Sequence, residues 1–179
     1  MRRLVFFLAA VAAGLMALGA PVAAEPNAGL NREVSGPFTG TSVFDFSTPA
    51  CSFAHQVHDA TYTTANGRSG SFDLDGCVVV GPGGEFDYSG LSVVTTPNGA
   101  ILNGTITGVV GGTAQTGPCD LTQFPIPASL DFTLALASGT KNFQHATGTV
   151  HLSGTWCSPA QPGVPGPISG TLTGALQRQ

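Results

Sequence analysis

Four histidines, ten acids and four cysteines are the residues of this chain with chemistry to offer. His55 and His58, with Asp59 beside them, form the closest approach to a metal pair. In a strand, however, a spacing of three sends two side chains to opposite faces. Zinc also needs three or four ligands on one centre, so these histidines read as strand residues facing solvent. Asp73 and Asp75 share a face, as do Glu85 and Asp87. Paired acids can act as general acid and base or as oxygen ligands to calcium. Asp73-Leu74-Asp75-Gly76 is a fragment of a calcium loop but lacks the later acids and the distal glutamate. The alternation around these acids points them to water. No Gly-x-Ser-x-Gly elbow is present, and no glycine loop leads into a helix to cradle phosphate. The reading is therefore of a chain with no catalytic constellation, no metal site and no cofactor.

The cysteines belong to structure. Cys51, Cys77, Cys119 and Cys157 are separated by 26, 42 and 38 residues, spacings unlike any Cys-x-x-Cys metal or redox pattern. An even number in an exported chain predicts two disulfides out of three possible connectivities. The favoured pairing is 51–77 and 119–157, because it joins neighbouring strands. Export itself is read from the N-terminus. Arg2 and Arg3 precede an apolar run from Leu4 to Ala20, and Val22-Ala23-Ala24 ends in small residues suited to signal peptidase. Residues 1–24 are expected to be removed, leaving no transmembrane segment and a secreted, extracellular or cell-envelope protein. What remains has four basic and ten acidic residues, a net charge of −6. With no basic stripe, nucleic acid is not an expected partner.

The elements that position these residues all read as strands. Apolar residues recur at spacing two rather than three or four: Phe38, Ser42, Phe44 and Phe46 share one parity, Phe72, Leu74, Val78 and Val80 another run, and Leu130 to Leu136 a third. The 20 threonines mostly take the opposite parity, as suits a half-wet pleated surface. Eight strands are expected, near 37–46, 52–64, 69–80, 85–96, 100–110, 128–137, 145–157 and 167–177, after a loose lead over 25–36. Asn66-Gly67 and Asn98-Gly99 predict two-residue hairpins, and Gly81 to Gly84 another break. Residues 111–127 and the proline-bearing stretch 158–167 are expected loops. The fold class is all-β, an antiparallel barrel of about eight strands over 37–179, with a β-sandwich as the alternative.

Three segments share the form Gly-Thr-apolar-polar, at Gly104, Gly148 and Gly170. Each glycine falls on the inward parity. Such glycines let a coiled sheet bend and bring backbones together, or keep a cavity wall thin, and barrel closure is the favoured reason. The segment from Ser138 through Gly139-Thr140-Lys141-Asn142-Phe143 to Ala146-Thr147-Gly148 resembles the Gly-Thr-Gly-x-Phe-x-x-Ala-x-Gly hairpin of allene oxide cyclase and dirigent-like barrels. Many secreted actinobacterial proteins carry a similar segment. Lys141 stands where that motif has glycine. The resemblance implies an eight-stranded antiparallel barrel with this segment as the turn into a late strand. It implies an isomerase or cyclase as one activity; those families' catalytic residues lie in strands outside the matched segment, and none is carried over to this chain.

An eight-stranded barrel is either filled by side chains or holds one small ligand. Phe38, Phe44, Phe46, Phe72, Phe132 and Trp156 form the expected aromatic interior. A pocket among them would suit a small apolar ligand, with Tyr62, Tyr88, His151 and Trp156 as candidate contacts. A non-catalytic binding module is thus the leading functional reading. A cyclase-like enzyme would need an ionisable group inside the barrel, and a cell-surface interaction protein would need an exposed apolar patch.

Overall fold

The computed structural model describes residues 32–111, 119–124 and 126–177. The expected signal peptide and residues 25–31 lie outside this range. Eight strands, β1 (Arg32–Asp45), β2 (Ala54–Thr63), β3 (Ser69–Val80), β4 (Phe86–Thr95), β5 (Ile101–Val110), β6 (Ile126–Gly139), β7 (Thr147–Ser158) and β8 (Gly166–Gln177), follow one another in the chain. Each pairs antiparallel with the next, and β1 closes the sheet on β8. The result is an up-and-down barrel without a free edge; the sandwich alternative is excluded.

Period-two alternation sets the faces. Along β2 the burial alternates strictly from Ala54 through Gln56, His58 and Ala60 to Tyr62, and the same inward parity runs through Phe72, Leu74 and Val78 of β3. β1 starts at Arg32, five residues before the expected boundary, because Glu33 and Ser35 face out and Val34 faces in while pairing against β8. One end of the barrel, called upper here, carries the β2–β3 and β4–β5 hairpins and the β6–β7 connection. The lower end carries the other four connections and both disulfides, Cys51–Cys77 and Cys119–Cys157, paired as expected.

The hairpin turns differ from expectation in geometry. Gly67 N–H donates to Thr64 O and Thr64 N–H to Arg68 O; Gly99 with Thr96 and Ala100, and Gly84 with Gly81 and Glu85, repeat the pattern. Gly67, Gly84 and Gly99 alone have positive φ in these loops. Each is thus a type I turn closed by a left-handed glycine, rather than a two-residue turn with both central residues left-handed. Pro82 and Pro97 occupy the second turn position, which their fixed φ suits.

The repeated inward glycines have a steric cause. A Cβ on Gly104, Gly148 or Gly170 would lie 2.2, 2.3 or 2.2 Å from the carbonyl oxygen of Ala135, Ala175 or Ser153. What crowds them is the neighbouring strand's backbone, so these glycines serve close strand approach and not a thinned cavity wall. In the turn before β7, Lys141 is the one non-glycine described residue with positive φ, 55°, at the position where the resembling motif carries glycine.

Candidate functional site

The middle of the barrel is filled. Phe38 and Phe72 meet edge to face with centroids 5.3 Å apart, and Tyr88, Phe132 and His58 form a triangle of rings 5.0–5.3 Å apart. His58 is the main departure from the sequence reading: it lies inside the barrel with no solvent exposure, not on the outer face. Counting parity back from Tyr62 through Ala60 puts His58 and Gln56 on the inner face, a signal that polarity alone concealed. His55, three residues earlier, faces out and meets Asp75 Oδ1 at 2.7 Å.

A polar belt surrounds His58. Gln56 Nε2 donates to Ser42 Oγ at 2.9 Å, and the Tyr88 hydroxyl donates to Gln56 O at 3.1 Å. Both ring nitrogens of His58, Gln56 Oε1 and Ser92 Oγ are buried with no hydrogen-bond partner. Burial against two aromatic rings pushes the His58 imidazolium down to about 3, so the ring is neutral at ordinary pH. Burial likewise pushes the Tyr88 phenol upward, and the charge of Asp75 adds to it.

Above this packed layer is a mainly aliphatic cavity of about 260 Å³, walled by Leu102, Leu134, Leu136, Val150, Leu172 and Leu176, with Phe72 and Phe143 also in its lining. Tyr62 lines it, and its hydroxyl reaches Thr95 O at 3.4 Å. The cavity meets the surface between the hairpins, at Asn66, Arg68 and Asn98, with Glu33 and Ser35 across the mouth. Arg68 Nη2 donates to Asn98 Oδ1, and Lys141 Nζ donates to Asn98 O at 3.0 Å, so two cations converge on one rim residue.

Below the packed layer is a second cavity of about 420 Å³, lined by Phe44, Phe46, Phe53, Phe86 and Trp156. Phe44 is part of the interior, as its parity requires, but Phe46 is 53% exposed at the mouth. It lies beyond the last inward position that strand pairing covers. The four candidate contacts therefore separate. Tyr62 lines the upper cavity and Trp156 the lower, while Tyr88 is packed between them. His151 is exposed on the outer face, its Nδ1 3.1 Å from Thr133 Oγ1, and lines neither cavity.

The acids stay outside. Asp73 faces Asp59 directly across β2 and β3, and partial burial and then that neighbour raise its carboxyl above the usual range. Among the described residues, no three His, Cys, Asp or Glu side chains gather into a metal-holding group. No described helix is long and apolar enough to cross a membrane. Compared with protein-family models, curated proteins and solved structures, the chain matches none.

Proposed function

We propose that this barrel is a non-catalytic binding module, acting outside the cytoplasm, that takes a small apolar ligand in its upper cavity. The single observation that carries the reading is the aliphatic wall from Leu102 to Leu176 around about 260 Å³ of open volume. At roughly 30 Å³ per water-sized group, that space suits a chain of about nine heavy atoms. The two disulfides support an oxidising compartment, in line with the export signal read from residues 1–24.

The rival reading, an isomerase or cyclase like the families that residues 138–148 resemble, draws support from His58 inside the lumen. A ring whose conjugate acid titrates near 3 is a weak base at neutral pH. His58 also lines neither cavity, which favours binding over catalysis.

Titration with 1-octanol, followed by two-dimensional NMR, tests the proposal. Burying about seven methylenes at ~0.8 kcal/mol each corresponds to a Kd of roughly 0.1 mM. Shifts should concentrate on the upper halves of β5, β6 and β8, and Leu136→Trp, which fills the cavity, should abolish them while the barrel stays folded. Shifts scattered over the outer face, or none, would overturn the reading.

A further inference from the structure

The lower cavity differs from the upper one in both chemistry and charge. Its wall is aromatic: Phe44 meets Phe46, Phe53 and Phe86 edge-on at 4.9, 6.3 and 6.4 Å and lies tilted against Trp156 at 5.8 Å, while Phe53 and Phe86 stack at 5.5 Å. Among the described residues, no charged side chain lines it. Gly163 N–H donates to Phe44 O at 2.8 Å, holding the proline-rich loop as one side of the cavity. Phe46 and Val164, 53% and 41% exposed, bring it to the surface.

Carboxylates neighbour these rings in the chain: Asp45 lies between Phe44 and Phe46 at the end of β1, and Glu85 and Asp87 flank Phe86 at the start of β4, so alternation turns these acids to the outer face beside the cavity. A Cβ on Gly81 would meet Glu85 Oε1 at 2.8 Å and Asp87 Oδ2 at 3.1 Å, so these two carboxylates converge on one turn. Ser47 donates to Asp45 from its backbone N–H and its hydroxyl, at 2.8 and 2.7 Å, which favours the ionised acid. Arg68 and Lys141 are both at the opposite end, on Asn98. Ring faces present negative potential to a cation, and methylated ammonium groups are the ligands that aromatic cages take. Carboxylates within a Debye length of about 8–10 Å add to that attraction.

We propose that the lower cavity is a second binding site, independent of the aliphatic one, for a small organic cation of the quaternary ammonium class. The five-ring wall supplies the contact surface, and the acids on the adjacent outer face add a longer-range attraction for the charge. Trp156, the chain's one tryptophan, lines this site and reports its occupancy.

The test uses the full disulfide-bonded protein, titrated with choline and with its uncharged carbon analogue 3,3-dimethyl-1-butanol, following Trp156 fluorescence. Choline should bind roughly tenfold tighter than the analogue, with the preference shrinking at 1 M salt. Phe53→Leu and Phe86→Leu should each remove most of that preference while changing the analogue's affinity by less than about twofold. His151→Gln, on the outer face and lining neither cavity, should leave both affinities unchanged. Phosphatidylcholine vesicles distinguish the source: vesicle binding competed by free choline identifies a lipid headgroup, and choline binding without vesicle binding identifies a free solute. Equal affinity for the two probes, or no response to either, would overturn the proposal and leave the octanol result untouched.

Discussion

Acidification should destabilise this barrel through His58. In the fold the ring is neutral and titrates near 3, against an ordinary value of 6.5 in the unfolded chain, and desolvation is the cause. Below pH 6.5 the unfolded chain therefore binds a proton that the barrel refuses. The stability from keeping this ring neutral is complete above pH 6.5 and is lost progressively as pH falls toward about 3. At about 1.4 kcal/mol per pH unit, the full loss is about 5 kcal/mol, and about 3 kcal/mol is already gone at pH 4.5. Denaturant unfolding with the disulfides intact, analysed by linear extrapolation at several pH values, measures it. His58→Leu isolates the effect, since Leu has similar size and no charge to take up. Because both ring nitrogens lack partners, the variant should be as stable as the parent at pH 7, or up to ~2 kcal/mol more stable. Its advantage should then widen by about 3 kcal/mol on going to pH 4.5. Parallel pH profiles for the two proteins would refute the reasoning, because they would mean that the protonated ring is accommodated inside the barrel.

Other outcomes follow from backbone and covalent structure. Lys141→Gly removes the cost of a left-handed side chain at φ 55° and should stabilise by about 1 kcal/mol, raising Tm by roughly 2–4 °C, despite losing the contact to Asn98. Gly170→Ala should destabilise by about 3 kcal/mol or more, since its Cβ would press on Ser153 O at 2.2 Å; a soluble, equally stable variant would mean the strands can part there. Replacing Cys51 and Cys77 together by serine opens a 26-residue loop and should cost about 3–4 kcal/mol in the chain-entropy model, read as a shift of the urea midpoint.

The barrel was legible in the sequence wherever inward residues are apolar. Phe72, Leu74 and Val78 announce their face, as do Leu130 to Leu136, and inward glycines mark where strands crowd together. The reading failed where the inner face turns polar. On β2 the inward set includes Gln56 and His58, while Val57 faces outward, so hydrophobicity pointed the wrong way and only parity counted from Tyr62 carries the signal. Turn type was missed for a related reason: Asn-Gly suits both a two-residue turn and the last two places of a longer one, and the hydrogen bonds decide between them. The cavities were not legible at all. Phe38, Phe72, Tyr88 and Phe132 fill the centre and leave open volume only at the ends, so the aromatic residues of one interior parity divide between packing and pocket. Tyr62 and Trp156 consequently lie at opposite cavities.

Native mass spectrometry of protein secreted by its own host, beside a denatured sample, decides whether the barrel carries a small apolar ligand. A small excess mass should appear, leave on denaturation and be missing from Leu136→Trp. The bare chain in both samples, with no adduct even after 1-octanol is added, would contradict it.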